Sequence, residues 1–359
     1  MTRVAASATG GRGNRRRRLG TLVQALGLVA SLGGCQALLL AESFEGGDFF
    51  FLENNGAVMP IWVRGDTSSG TFVVFLHGGP GNSSYSYATA PAYDRLAESY
   101  ALVFWDQRGS GAAQGDPSPE SYTLEQFAKD TKKVVQLIRH KYDVEALFLA
   151  GKSWGACVGT AFLLGEGNQE GVSGWIEIDG AHNLKEGIPL SWEWTKAAAR
   201  ARIKRGSEVA RWQREIAWYE SRPAKIDTDY FLRHGENLND LDGIYRDPAK
   251  DPGNFFPLSA PIPFLYQLNA YFLNQDNRLR LESIDLSDQM GAITVPSMVL
   301  WGRHDGTLPV ALADDAYDSL GTPEGDKHRF IFENSAHVPA YEEPELFVEK
   351  MTDFIEAYR

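Results

Sequence analysis

Apolar residues in this chain fall in short unbroken runs set between longer stretches of mixed polarity. Residues 71–76 (TFVVFL), 101–105 (ALVFW), 146–150 (ALFLA) and 295–301 (VPSMVLW) carry no charge, which is how a strand buried on both faces of a sheet reads. Residues 174–179 (GWIEID) and 330–332 predict two further strands, and segments near 91–99 and over 124–141 have helical patterns. Strands alternating with helices predict an α/β fold whose sheet is mostly parallel and covered by helices on both faces. An opening hairpin precedes this alternation, with residues 48–53 and 57–63 joined at Asn55-Gly56, a strong turn pair.

Between about 182 and 290 the strand and helix rhythm lapses. The run SWEWTKAAARARIKRGSEVARWQREIAWYE is helical in composition, and residues 247–263 hold five prolines. A mainly helical cap is therefore predicted over 182–290, inserted into a core made of 48–181 and 291–359. Trp192, Trp194, Trp212 and Trp218 pack its helices by default, with the lining of a pocket as the alternative.

Composition bounds the function. A chain of 359 residues with 43% hydrophobic and 12% aromatic content can bury one large domain with an insertion. Its formal net charge is −12, and the first 34 residues alone contribute six arginines and no acid. The rest is thus more acidic still, which argues against nucleic acid as a partner.

Those first residues read as a targeting segment. Arg12 and Arg15 to Arg18 form a positive start, residues 19–32 a short apolar run, and Leu32-Gly33-Gly34-Cys35 the end. The last four residues resemble a bacterial lipobox, whose cysteine is lipidated and becomes the mature N-terminus. On that resemblance residues 1–34 are a lipoprotein signal peptide and 35–47 a tether. The protein is then expected to be exported and held at a membrane of the bacterial cell envelope through Cys35. An ordinary signal peptide with a chance cysteine is the alternative. Cys157 is the only other cysteine, so no internal disulfide is expected, and a small buried helix residue is its default role.

The densest chemistry lies at residues 145–159, EALFLAGKSWGACVG. An apolar strand breaks at Gly151-Lys152-Ser153-Trp154-Gly155 into a helical segment, a G-x-S-x-G elbow in strand-turn-helix context. Such a turn strains the serine and leaves no room for bulk two residues to either side. Ser153 is the candidate nucleophile, placed at a helix N-terminus where the dipole favours a developing oxyanion. The competing reading is a chance pentapeptide in a glycine-rich chain.

Three motifs on successive strands sharpen this. HGGPG at 77–81, WDQRGSG at 105–111 and GKSWG at 151–155, followed by WGRHD at 301–305 and SAHVP at 335–339, resemble the proline iminopeptidase branch of the α/β-hydrolases. The resemblance implies the α/β-hydrolase fold and a Ser153, Asp305, His337 triad in the chain order of that fold. It implies backbone N–H groups of Gly79 and Trp154 as oxyanion donors, with His77 holding its loop and Asp106 and Arg108 bracing beneath. A surface ion pair is the alternative for Arg108. Asp179, which ends the preceding strand, competes with Asp305 as the triad acid, while the plainer readings are a loop histidine for His337 and a solvated neighbour for His304. No cofactor and no metal ion are implied.

The cap departs from that family. Proline iminopeptidases resemble one another in a segment E-N-x-Y-F whose glutamate meets the substrate's free amine, whereas this chain has Leu268-Asn269-Ala270-Tyr271-Phe272. A buried ammonium without a carboxylate is costly, so Glu193, Glu215, Glu220 and Glu236 become the substitutes to examine. The expected function is a serine hydrolase of small-molecule or short-peptide esters or amides, with aminopeptidase activity as its narrower form. Dehalogenase chemistry on this scaffold uses a carboxylate nucleophile, which Ser153 is not. The remaining alternative is a membrane-anchored binding protein with a vestigial site.

Overall fold

A computed structural model describes residues 47–227, 229–247, 249 and 280–359. The leader with Cys35, nearly all of the tether and residues 268–272 lie outside them. Two strands open the chain, β1 (Asp48–Asn54) and β2 (Ala57–Gly65), paired antiparallel. Asn55 and Gly56 both take positive φ, 46° and 78°, the backbone that a two-residue hairpin turn demands.

There follow β3 (Thr71–Leu76), β4 (Ala101–Trp105), the two-residue β5 (Gln114–Gly115), β6 (Ala146–Lys152), β7 (Gly174–Ile178), β8 (Ser297–Gly302) and β9 (Lys327–Phe332). They join one sheet in the order β1-β2-β4-β3-β6-β7-β8-β9, with β5 beside β2. Every pairing from β4 to β9 is parallel. Strand order runs one way from β3 to β4 and the other from β3 to β6, so the chain reverses direction across the sheet at β3. Every residue of β3, β4, β6, β7 and β8 is buried, as the uncharged runs in β3, β4, β6 and β8 predict, and burial extends to Lys152 at the end of β6 and Glu177 in β7. β9 begins three residues before the predicted 330. Its first half, Lys327-His328-Arg329, is charged and partly exposed, because β9 is the sheet's edge and charge there discourages pairing with another chain.

Alternate residues of each central strand serve opposite layers. Phe72, Val74 and Leu76 pack on one face with Phe127, Val134 and Ile138 of α3 (Leu124–Lys141) and with α4 (Trp154–Leu163). Val73 and Phe75 pack on the other with Tyr93 and Leu96 of α2 (Pro91–Ala97), which follows the short α1 (Ser84–Ala88). The C-terminal helix at Pro344–Tyr358 covers this second face through Phe347, Met351 and Phe354. α3 starts where Thr123 accepts from the Gln126 N–H at 3.2 Å and ends with Arg139 and Lys141 in its last turn, cations that complement the negative end of its dipole.

Between β7 and β8 the described chain is helical: α5 (Leu184–Lys204), α6 (Val209–Glu220), a π-helical turn at Tyr230–His234 and α7 (Gly235–Asp240). Ala199, Trp212 and Leu241 close a small core of their own there. Trp192 is buried against Trp218, with ring centroids 5.4 Å apart, and Tyr219, at 5.0 Å. Among the described residues no helix is long and apolar enough to cross a membrane.

Candidate active site

Ser153 sits between β6 and α4 with φ 53° and ψ −123°, a left-hand-side backbone that a residue with a Cβ adopts only under about 1–3 kcal/mol of strain. The surroundings enforce it. A Cβ on Gly155 would stand 1.9 Å from the Leu76 carbonyl oxygen, and one on Gly151 would stand 2.5 Å from the Trp175 ring. Strand and helix can therefore meet at this angle only with glycine at both places. The serine is left half-buried while both its neighbours are buried.

Asp305 lies in the loop after β8 and His337 in the loop after β9. The Asp305 Oδ2 accepts from His337 Nδ1 at 2.7 Å, while its Oδ1 accepts from the backbone N–H groups of Thr307 and Leu308 at 2.8 and 2.9 Å. Nδ1 thus carries the proton and Nε2 remains the basic nitrogen. Burial, with the Lys152 ammonium second, holds the His337 pKa well below its ordinary value, so the ring is neutral and able to accept a proton. The imidazole loop is itself clamped: the His337 N–H donates to the Ile244 carbonyl at 3.0 Å, and the Ala336 N–H to Glu342 at 2.6 Å.

Ser153, His337, Gly79 and Trp154 line one cavity of about 200 Å³. Trp154 is the first residue of α4, and Gly79, at φ 124°, turns the chain toward it in a conformation suited to glycine. The loop carrying Gly79 is held by its own histidine. His77 Nδ1 donates to the Gly78 carbonyl at 2.8 Å, and its Nε2 accepts from the Gln107 N–H at 3.0 Å. The Gln107 side chain then donates to the His77 carbonyl and accepts from the Trp154 indole at 2.9 Å. One glutamine so ties both glycine-rich loops to the elbow. Asp106 accepts from Ser83, Ser84 and the Ala112 N–H, and does not reach the cavity. Arg108 is fully buried on Asp130, at 2.8 Å through one of its nitrogens, not the surface pair weighed from the sequence.

Asp179, the competing acid, lies within 4.8 Å of His337 but is held by other partners. Its Oδ1 accepts from the Gly302 N–H at 2.8 Å and its Oδ2 lies 3.6 Å from Lys152 Nζ. His304 is half-buried, and lines a separate cleft with Trp194, Arg202 and Arg246. Two buried ionisable groups had no signal in the sequence. Lys152 is only the variable position of the elbow pattern, and Glu342 gathers N–H groups from Arg246, Asp247 and Ala336 across ninety residues of chain.

The walls of the cavity are mainly apolar, including Leu184, Ile226, Leu238, Leu281, Leu308 and Val338. Among the described residues no carboxylate lines it. Glu215 accepts both guanidinium nitrogens of Arg233 and the Asn237 amide, Glu193 pairs with Lys196 and Glu220 with Arg200 at the surface, and Glu236 is exposed. None of the four cap tryptophans lines it either. Trp192 and Trp212 are buried in helix packing. Leu268 lies outside the described residues. A directed chain of hydrogen bonds crosses the cap wall: Asn237 to the Tyr219 hydroxyl, Tyr219 to His234 Nδ1, His234 Nε2 to Ser191, and Ser191 to the Gly306 carbonyl. Burial pushes the His234 pKa down to about 3, so this ring is a neutral link. Gly306 is the residue after Asp305, so the chain ends at the acid's own loop.

Residues 71–344 match the alpha/beta hydrolase fold family. The probable aminopeptidase YbaC of Bacillus subtilis (strain 168) is 28% identical over 310 residues, 81% of this chain and 91% of that protein. The proline iminopeptidase of Heyndrickxia coagulans is 26% identical over 329 residues, 85% and 97% of the two chains. Among solved structures, the proline iminopeptidase of Mycobacterium smegmatis superposes with a TM-score of 0.65 over 87% of this chain and 98% of that one, at 16% identity, a likeness of fold.

Proposed function

The chain belongs to the α/β-hydrolase fold family, and on that premise we propose that it is a serine hydrolase cleaving esters or amides of a neutral, apolar acyl group through an acyl-enzyme on Ser153. The observation that carries the reading is the meeting of Ser153 and the Asp305-bound His337 in one apolar cavity. His337 Nε2 takes the Ser153 hydroxyl proton as Oγ attacks the carbonyl carbon. The resulting oxyanion is held by the N–H groups of Gly79 and Trp154. Collapse expels the alcohol or amine, which leaves with the proton from His337. Water then gives a proton to His337 and its oxygen to the acyl carbon, releasing the acid and restoring Ser153. Asp305 holds the ring in the productive tautomer and stabilises the imidazolium as it forms.

Peptide amides, including those with an N-terminal proline, are the narrower form of this activity. Support for them comes from the likeness to proline iminopeptidases, while the lack of a carboxylate on the described cavity wall favours acyl groups without a free amine. The test is a fluorophosphonate label, which should modify wild type stoichiometrically and leave Ser153→Ala untouched. The same variant should lose about 10⁴-fold or more in kcat while keeping its fold. Labelling of Ser153→Ala at full stoichiometry would place the nucleophile at another residue, and an unreactive wild type would leave a binding-only protein as the reading.

The proposal includes a site of action. The arginine-rich start, the apolar run and Leu32-Gly33-Gly34-Cys35 support a mature chain that begins at lipidated Cys35 and works at a membrane face. Mass spectrometry of the native N-terminus decides this, and unchanged membrane fractionation after Cys35→Ser would refute it.

A further inference from the structure

Behind the triad lies a buried charge cluster larger than the triad needs. Ligand atoms of Asp179, Asp305 and His337 all lie within 4.8 Å of one another, so two carboxylates share one water-poor site. Two carboxylates this close do not both ionise without a counter-charge, because each raises the pKa of the other. The counter-charge is in place. Lys152 extends from the elbow with its side chain 7% exposed and its ammonium 3.6 Å from Asp179 Oδ2, while the Asp179 side chain is wholly buried. Neither Lys152 Nζ nor Asp179 Oδ2 has a conventional hydrogen-bond partner, so what joins them is chiefly charge.

We propose that Lys152 and Asp179 form an internal counter-ion pair whose ammonium favours the carboxylate form of Asp305 beside His337, which makes Lys152 a positioning residue of the triad. This rests on the serine-hydrolase reading above. The geometry gives each member a distinct part. Asp179 fixes its carboxylate on the Gly302 N–H at the end of β8, three residues before Asp305. Lys152 belongs to the residue pair that carries the nucleophile, so the charge that steadies the acid is delivered by the elbow itself. Burial pushes the Asp305 carboxyl up to about 8, and the Lys152 ammonium is the foremost influence that keeps it from rising further. The same ammonium disfavours an imidazolium at His337, which keeps the base free before substrate arrives.

Removing the ammonium should therefore raise the pKa of the acid and of the base together. Other ionisable groups face this cluster: Glu342 behind the His337 loop, and the phenols of Tyr87, Tyr93 and Tyr341 around the small space beside Lys152. Burial pushes Tyr87 up to about 12, out of the range that matters here, and Glu342 is common to every variant below.

The experiment follows the rate of fluorophosphonate labelling of Ser153 against pH, which requires no knowledge of the natural substrate. Lys152→Met should move the acidic limb of that profile to higher pH by about one unit or more. It should also slow labelling at pH 7 by about tenfold or more. Asp179→Asn keeps the side-chain oxygen for Gly302 and leaves the ammonium beside Asp305 alone, so its limb should move to lower pH. The double variant should return the limb toward wild type and recover rate relative to Lys152→Met. A merely structural lysine would give a loss that Asp179→Asn does not rescue. Superimposable limbs in Lys152→Met and wild type, or limbs that move the same way in both single variants, overturn the proposal. If Lys152→Met does not fold, the sign of the Asp179→Asn shift still decides. A wild type that fails to label at Ser153 defeats the serine-hydrolase reading instead, a result distinct from all of these.

Discussion

An ammonium on the acyl side of the scissile bond should be a handicap in this enzyme. The described wall of the cavity holds no carboxylate, and its one cationic side chain is Lys152. The chain between 250 and 279 adds only Asp251 and Asp276 as further acids. The clean perturbation is in the substrate: prolyl p-nitroanilide against cyclopentanecarbonyl p-nitroanilide, which have the same ring size and differ in the amine. A binding site with a partner carboxylate gains about 1.5–3 kcal/mol from a charged hydrogen bond, and its absence forfeits that amount. At about 1.4 kcal/mol per decade, the loss equals about 10- to 150-fold in kcat/KM. The ratio is measured after correction for the two anilides' hydroxide-catalysed rates, since an α-ammonium activates its own carbonyl. Burying the ammonium without a partner adds a desolvation cost that the neutral ring does not bear, so the neutral substrate should lead by at least about tenfold at pH 7. Because α-amines titrate near pH 8, the deficit should narrow as pH rises and the amine loses its charge. A tenfold lead for prolyl anilide at pH 7 would refute the reasoning and direct the search for the amine's partner to Asp251 and Asp276.

Arg108→Met should destabilise the fold by about 3–5 kcal/mol, since it strands the wholly buried Asp130; urea unfolding measures this, and adding Asp130→Asn should recover part of the loss, failing which the pair is not what Arg108 is for. Gly155→Ala should abolish the fold or the labelling of Ser153, as its Cβ meets the Leu76 carbonyl at 1.9 Å, whereas Gly325→Ala, with nothing within 4 Å, should change stability by less than about 0.5 kcal/mol. Burial pushes the Glu342 carboxyl up to about 7 from 4.5. A raised acid supports the fold fully below 4.5 and loses that support as pH rises through 7, so wild-type Tm should fall between pH 5 and pH 8 by more than the Tm of Glu342→Gln. Parallel melting curves for the two proteins would show that Glu342 titrates normally.

Strands buried on both faces are legible from composition alone, and β3 and β4 run from first to last residue where their uncharged runs do. The elbow is legible too, because Gly151 and Gly155 are steric requirements visible as letters. β9 is half-hidden, since an edge strand is selected for charge as much as for packing. Lys152 escapes for a different reason. A lysine beside the nucleophile reads as a surface residue until its depth and its distance from Asp179 are known. Glu342 and the Ser191, Tyr219 and His234 chain are hydrogen bonds between residues far apart in sequence, which leave no periodicity behind. The cap tryptophans fall to the default role of packing, and the candidate glutamates are accounted for by their arginine and lysine partners or by exposure.

β7 and β8 lie side by side, Trp175 against Ser297 and Ile178 against Leu300, although residues 179–296 separate them along the chain. This sets an order of events during synthesis. The strand, turn and helix around Ser153 leave the ribosome early and pack with β3 and β7, whereas β8 emerges after every residue of the insertion and β9 later still. Asp305 and His337 therefore reach the serine last, and a nascent chain carries an ordinary alcohol for most of its assembly. Loop closure costs grow only by about 0.6 kcal/mol for each doubling of length, so the insertion can be lengthened or rewritten with little effect on the sheet. What its length governs is the interval before Ser153, the proposed nucleophile, has its partners.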